Sequence, residues 1–408
     1  MKYIHRELER KFLKMNDFFK AVLVTGARQT GKTTMLKHLA EGTNRKYVSL
    51  DDMAARDLAQ SDPVLFLQTY KPPVLIDEIQ YAPQLFERIK VYCDNSEENG
   101  LFWLTGSQQY QMINNVRESL AGRVGILDLY SLSQREKSGV LMNEPLSFDY
   151  DSLNERQKKV KTNNVVEVFE HIWTGGMPQV QTADEEMRSE YFNSYVNTYL
   201  MRDAAEIGGI TDSSKYFRFL KACASLVGEQ LNYATLASAA DISEPTAKAW
   251  VNLTQSMGII YLLQPYYNNA LKRLTKTHKL YFCDTGLCAH LSMWLTADTL
   301  REGSASGHFF ENYVVMELVK GYAYSSSVAS ISYYRDSNAK EIDLLIETDG
   351  KLHPLEIKKS ANPDKRDVKK FEVLEKTNLA RGNGGLVCMC ESPLPIDENN
   401  SFIPCNLL

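Results

Sequence analysis

No apolar run in this sequence approaches the ~20 residues that a membrane-spanning helix requires, so no membrane partner is expected. The N-terminus is basic at Lys2, His5, Arg6, Arg10 and Lys11, but Glu7 and Glu9 interrupt it. No apolar core of leader-peptide length follows; Ile4, Leu8, Phe12 and Phe19 instead sit near helical spacing, which predicts an amphipathic lead-in helix. Cysteine is sparse, with seven scattered residues. Cys388 and Cys390 lie two apart in an apolar run, the signature of one strand face, and no His or second Cys pair stands nearby to complete a zinc site. The balance is that of a reduced, cytoplasmic chain. A basic excess is also missing: 46 Lys and Arg face 51 Asp and Glu, for a net charge of -5. Any nucleic-acid surface must therefore be local.

What is present is a long chain. Its 408 residues exceed one ordinary domain, and 44% hydrophobic with 24% charged residues is the profile of a soluble globular protein. Ala21-Val22-Leu23-Val24-Thr25 is a short β-rich run. Gly26-Ala27-Arg28-Gln29-Thr30-Gly31-Lys32-Thr33 follows at once and matches G-x-x-x-x-G-K-[ST] at every fixed position. Thr34 to Ala40 has helical character, with Gly42 as a stop. Strand, loop and helix are the context this phosphate-binding motif needs. Glycines permit the turns that aim backbone N–H groups at phosphates, and the helix adds the positive end of its dipole. Lys32 is expected on the β- and γ-phosphates of ATP, and Thr33 on Mg2+.

Pro72-Pro73 punctuates the chain before Val74-Leu75-Ile76 and Asp77-Glu78. Hydrophobics ending in two acids form a Walker B pattern, and a strand buried on both faces is continuously apolar. Asp77 is expected to hold the magnesium shell, and Glu78 to orient and deprotonate the attacking water. A third run, Leu101-Phe102-Trp103-Leu104, ends at Thr105-Gly106-Ser107, where Thr105 or Ser107 could touch γ-phosphate or water. Arg123, after Gly122, is a candidate contact to γ-phosphate in its own subunit or a neighbour's.

The order Gly-Ala-Arg-Gln-Thr-Gly-Lys-Thr-Thr, Leu-Ile-Asp-Glu-Ile-Gln, Leu-Thr-Gly-Ser and Ser-Leu-Ala-Gly-Arg-Val resembles a prokaryotic family of AAA-type ATPases with an uncharacterised C-terminal domain. The resemblance runs through nearly the whole chain, including Tyr199-Leu200-Met201-Arg202-Asp203. It implies an AAA+ fold and raises Thr105, Ser107 and Arg123 as sensor or finger residues.

Residues 157–210 read as mostly helical, broken by a turn at Trp173 to Pro178 and ended by Gly208-Gly209. Tyr191, Tyr195 and Tyr199 recur every fourth residue, a core-facing stripe. Further on, helices over Tyr216 to Val227, Tyr233 to Ala240 and Thr246 to Met257 are predicted, the last opened by Ser243 as N-cap with Pro245 in its first turn. Two β-rich runs, Ile259 to Leu262 and Lys279 to Phe282, flank an arm with Lys272, Arg273, Lys276, His278 and Lys279. Helices plus a basic hairpin form a winged-helix pattern. The arm suits DNA phosphates, but the second helix offers Lys248 as its only basic residue and no arginine to read guanine; a protein-binding spacer is the equal alternative.

Gly303 to Gly307 reads as a linker. A helix over Phe309 to Leu318 and a strand over Ile331 to Arg335 follow. Then comes a hairpin in which Glu341 to Glu347 turns at Asp349-Gly350 into Pro354 to Lys358. A charged helix spans about Asp364 to Lys376, and Gly385 to Cys390 is a last strand. Glu356 and Lys358 share a strand face, and Asp343 can reach it from the partner strand. Asp343 and Glu356 could bind Mg2+ or Mn2+, with Lys358 steadying developing charge and Glu311 completing the ligands. Asp343…Glu356-x-Lys358 resembles the PD-(D/E)xK nuclease motif, with Ile342 where the motif has proline.

The expectation is an α/β protein of four parts: an AAA+ P-loop NTPase domain over 1–150, a helical lid or connector over 151–211, a winged helix over 212–298 and a PD-(D/E)xK-like domain over 299–408. Its function would be ATP hydrolysis coupled to a metal-dependent nuclease-like domain on DNA. The alternative is an ATP-driven switch that binds a protein partner, as a homo-oligomer or with another protein, through a non-cleaving recognition domain.

Overall fold

The computed structural model describes residues 3–106, 120–142, 144–266, 277–336, 340–376 and 379–408. The chain divides into two compact units. The first holds Met1–Leu132 with Ser256–Gly258, and the second Ser133–Gln255 with Ile259–Leu408.

The first unit opens with α1 (Leu8–Phe18), whose Leu8 and Phe12 are buried as the lead-in helix required. Then come β1 (Ala21–Thr25), α2 (Lys32–Ala40), β2 (Lys46–Ser49), α3 (Met53–Ser61), α4 (Pro63–Thr69), β3 (Val74–Asp77), α5 (Leu85–Asp94), β4 (Phe102–Thr105) and β5 (Val124–Asp128). Asp52 and Asp62 cap α3 and α4 by accepting from backbone N–H groups, with Pro63 at the start of α4. The five strands form one parallel sheet in the order β2-β3-β4-β1-β5. β1, β3 and β4 are buried along their whole length, which is why their sequences are continuously apolar. Leu23, Ile76, Phe86, Ile89 and Leu104 belong to the core beside the sheet.

Among the described residues the second unit begins with α6 (Gln134–Ser138), α7 (Tyr150–Gln157), α8 (Val165–Thr174), a 3-10 turn Pro178–Thr182, α9 (Glu185–Ser194), a π-helical stretch Tyr195–Leu200, and α10 (Met201–Gly208), closed by Gly209. Tyr195 of the tyrosine stripe is core. Three further helices, α11 (Ser213–Ser225), α12 (Tyr233–Ala240) and α13 (Glu244–Ser256), precede β6 (Ile260–Pro265) and β7 (Lys279–Phe282). Ser243 Oγ accepts from Thr246 N at 3.3 Å, the expected N-cap.

β6 and β7 pair antiparallel, but β6 also pairs in parallel with β8 (Ser330–Arg335). The hairpin expected to project as a wing is thus the edge of a larger sheet. The arm residues Lys272, Arg273 and Lys276 lie outside the described residues. After α14 (Thr285–Leu291), α15 (Ala297–Glu302) and α16 (Ser306–Tyr324) come β8, β9 (Glu341–Thr348), β10 (Lys351–Ile357), β11 (Ala380–Arg381), β12 (Gly384–Cys388), β13 (Leu394–Pro395) and β14 (Asn400–Pro404). The sheet runs β13-β14-β12-β10-β9-β8-β6-β7, with β11 beside β10.

Three local expectations change. Gly303 to Gly307 is no loose linker: Gly303 packs against Trp294, and α16 starts at Ser306. The charged segment Lys365–Lys376 is a 3-10 rather than an α-helix. Its buried residues Val368, Phe371 and Leu374 recur every third position, which is the 3-10 period. β12 ends at Cys388, leaving Cys390 beyond it.

Candidate functional site

The P-loop leaves the buried strand β1 at Thr25. Gly26 has φ 147° and Gly31 φ 94°, so both need the freedom that glycine provides. A Cβ on Gly26 would also run into the Leu129 carbonyl oxygen. Gly31 caps α2, so the N–H groups of its first turn face the loop. Ala27 and Thr30 are buried, Arg28 half-buried and Gln29 exposed with φ 64°; Thr34 is exposed on α2. Lys32 is 6% exposed, and its Nζ donates to the carbonyls of Gly26 at 3.0 Å and Ala27 at 2.8 Å. The ammonium lies over its own loop, where phosphate oxygens would take over those bonds.

β4 lies between β1 and β3 in the sheet, so Thr105 stands between the P-loop and the Walker B end. Asp77, 6% exposed, accepts from Thr33 Oγ1 at 2.6 Å, from Thr105 Oγ1, and from Tyr47 OH at 3.2 Å. Burial, and then Asp77, push the Tyr47 phenol up to about 12. A hydroxyl and a carboxylate held together beside a phosphate loop form the oxygen donor set that Mg2+ takes; Thr33 and Asp77 would hold it. Glu78 has φ 57°, a left-handed conformation uncommon for a non-glycine residue. Its N–H donates to Thr105 Oγ1 at 3.0 Å, and its carboxylate accepts from Gln80 Nε2. Thr105 therefore ties Asp77 to Glu78 rather than offering a free hydroxyl to γ-phosphate. Ser107 lies outside the described residues.

Arg123 does not reach this site within its own subunit. It precedes β5, whose Val124 pairs with Ala21 and whose Asp128 pairs with Thr25 in parallel register. The arginine is thus at the opposite end of the sheet from the P-loop, about 16 Å away along the strand. There it is ion-paired to Asp94 and donates to Ala121 O at 3.0 Å.

Sequence reasoning missed Arg6, Tyr47 and Asp128. Arg6 is 3% exposed and donates to Thr30 O at 2.8 Å and Tyr130 O at 2.7 Å. Asp128 accepts from Thr25 Oγ1. None carries a local motif; Arg6 meets the loop at Thr30, Asp128 meets Thr25 just before it, and Tyr47 meets Asp77, each from a distant part of the chain.

The second unit holds the other constellation. Asp349 and Gly350 have φ 50° and 72°, a two-residue type I′ turn between β9 and β10. Leu355 pairs with Leu344, which sets Glu356 across from Asp343. Asp343 Oδ2 accepts from Ile357 N at 2.8 Å. Glu356 is 1% exposed; its Oε1 accepts from Lys358 Nζ at 2.8 Å and Lys370 Nζ at 2.6 Å, while Oε2 is buried without a hydrogen-bond partner. Burial and the neighbouring Asp343 push Glu356 up to about 7.

Glu311 does not join them as a third ligand. Its Oε1 accepts from Lys279 Nζ at 2.8 Å and Tyr281 OH at 2.6 Å, and burial raises its pKa. Lys279 also pairs with Glu341 at 2.8 Å. Burial disfavours its charge, but Glu311, Asp343 and Glu341 outweigh that and hold its pKa above the ordinary value. Lys279, expected on a DNA-facing arm, is thus a buried counter-ion, 5% exposed. Among the described residues no three His, Cys, Asp or Glu side chains gather as a metal-holding group.

Residues 166–298 and 306–408 match two families described as domain of unknown function, DUF8612 and DUF4143. Over 345 residues the chain is 26% identical to uncharacterized proteins of Mycobacterium bovis and Mycobacterium tuberculosis, spanning 84% of this chain and 71% of each. A Walker-type ATPase of Pyrococcus abyssi aligns in structure over 71% of this chain and 96% of its own, at 14% identity and a TM-score of 0.44. Residues 18–138 match the AAA domain family, and with the loop geometry above they form an AAA-type P-loop ATPase domain, the part of the chain that binds ATP.

Proposed function

We propose that this chain is an ATP-driven switch that hydrolyses Mg-ATP in its first unit and uses the nucleotide state to control what the second unit binds. The observation that carries the hydrolytic part is the Thr33–Asp77 contact of 2.6 Å beside the buried Lys32. In this reading Lys32 and the P-loop amides hold the phosphates, and Thr33 with Asp77 holds the metal shell. Glu78 orients the water and takes its proton. The test is ATP turnover. Lys32→Ala is expected to abolish it, and full turnover in that variant sinks the assignment. Glu78→Gln is expected to bind ATP and hydrolyse it slowly; normal hydrolysis removes Glu78 from its role.

For the second unit we favour recognition, by a winged helix over 212–298 and a nuclease-like domain over 299–408, with 151–211 as the connector. Lysines already neutralise its carboxylates: Lys279 serves Glu311 and Glu341, and Lys358 with Lys370 serves Glu356. One observation supports cleavage instead. Asp343 of β9 stands across from Glu356 of β10, Lys358 follows just beyond that strand, and the buried Glu356 Oε2 is unpartnered. DNA incubated with Mg2+ or Mn2+, with and without ATP, separates the two. Cleavage that is lost in Asp343→Ala establishes the nuclease; intact DNA alongside full ATPase activity supports recognition. Salt-sensitive DNA binding then distinguishes a nucleic-acid partner from a protein one.

A further inference from the structure

Three residues, Thr25, Gly26 and Arg6, join the P-loop to one short segment, residues 128–130. Thr25, the last residue before the loop, donates its hydroxyl to Asp128, and its carbonyl accepts from Leu129 N at 2.8 Å. Gly26 lies so close to the Leu129 carbonyl that a side chain would not fit. Arg6 supplies the third link. Its guanidinium donates from one nitrogen to Thr30 O at 2.8 Å and from another to Tyr130 O at 2.7 Å. Thr30 belongs to the loop itself, and its hydroxyl donates to Ala27 O at 3.0 Å. One planar cation therefore spans the crest of the loop and the chain leaving β5.

We propose that Arg6 is a positioning residue for ATP binding: it fixes the Thr30 peptide so that the loop's N–H groups point at the phosphates, and it makes residues 128–130 move with the loop. This rests on the ATPase reading above. An arginine suits the task because its fork is rigid and always charged, so both carbonyls are held at a fixed separation. A carbonyl engaged by a cation also turns its oxygen away from the incoming phosphate, which would otherwise repel it.

The segment has a second consequence. Two residues beyond Tyr130 the first unit ends, at Leu132. The next residues open α6, whose capping box joins Ser133 and Glu136, and Gln134 N donates to Glu317 of α16 at 2.8 Å. A displacement of residues 128–130 is therefore passed along the backbone to a helix anchored in the second unit. The coupling element is a named stretch of chain, not distance alone.

The experiment uses the full chain, as wild type, Arg6→Met and Arg6→Lys. ATP titrations give KM and kcat, and amide hydrogen exchange is followed with and without a non-hydrolysable ATP analogue. Losing a charged hydrogen-bond pair predicts a KM about tenfold or more higher in Arg6→Met, with kcat changed less. Arg6→Lys should recover part of it, since an ammonium still serves one carbonyl. In wild type, nucleotide should slow exchange at 26–34 and at 128–138. In Arg6→Met at saturating nucleotide the response at 26–34 should persist while that at 128–138 weakens. An unchanged KM in a folded Arg6→Met, or an undiminished response at 128–138, overturns the proposal. Should Arg6→Met fail to fold, wild type still decides: protection at 26–34 without any at 128–138 overturns the linkage, whereas no protection at 26–34 indicts the ATPase reading itself.

Discussion

At the scale of single residues, the Walker B end is held by a threonine whose partners set its role. Thr105 Oγ1 donates to Asp77 and accepts from Glu78 N. Thr105→Val keeps the shape and removes both bonds. Residues that orient a metal-site group change activity by roughly 10–100-fold, so kcat should fall by about that much while ATP binding persists. Steady-state kinetics beside an equilibrium binding assay check this; lost binding with normal kcat refutes it. Arg123 gives a contrasting expectation. It stands at the far end of the sheet and pairs with Asp94, so Arg123→Ala should leave turnover unchanged in dilute protein. A loss that appears only as protein concentration rises would show that the arginine serves a neighbouring subunit.

At the scale of elements, the turn between β9 and β10 places both central residues at positive φ. Gly350→Val forces a β-branched side chain into that conformation and is expected to destabilise the second unit by roughly 1–2 kcal/mol. Urea unfolding measures it, and an unchanged midpoint removes the turn as a register device. α14 supplies a pH test. Burial first, then Arg188 and Lys221, depress His290 to about 4, and burial with Lys137 does the same to His171. Both stay neutral in the fold but protonate when unfolded, so the unfolded chain binds more protons between pH 6.5 and 4. Stability is therefore full above pH 6.5 and falls as pH drops through that window. His290→Asn should flatten the dependence of Tm on pH there; an equal slope would refute the burial argument.

These elements also show what could be read in advance. The P-loop, the Walker B strand, the Asp349-Gly350 hairpin and the Ser243 cap are local patterns, in which a few adjacent residues decide backbone conformation, and each lies where its pattern put it. The 3-10 segment is not legible in the sequence, because Val368, Phe371 and Leu374 fit either period when charged residues surround them. Arg6 and Lys279 were illegible for another reason. Each is one of several basic residues in its stretch, and its meaning comes from acceptors far away in sequence: Tyr130 for Arg6, Glu311 and Glu341 for Lys279.

At the scale of the whole molecule, Lys279 matters because it joins three segments of the second unit: β7, α16 and β9. Its pairs with Glu311 and Glu341 are both 2.8 Å, and Glu311 also holds Tyr281. Lys279→Met keeps the side chain's length but leaves two carboxylates facing each other beside Asp343. Removing one partner of a buried ion pair costs roughly 3–5 kcal/mol, because the other charge stays buried. The cost must depend on pH. The Glu311 pKa is already raised by burial, and without Lys279 it should rise further, so the folded variant takes up a proton that the unfolded chain lacks. Its deficit is then greatest at alkaline pH, where the carboxylates must all be ionised, and shrinks as acid neutralises them. Urea unfolding of wild type and Lys279→Met at pH 8 and pH 5.5, roughly spanning the raised carboxylate range, tests this. A deficit that is equal at both values would mean Lys279 acts through packing alone, and that the acidic centre of the second unit does not depend on an internal cation.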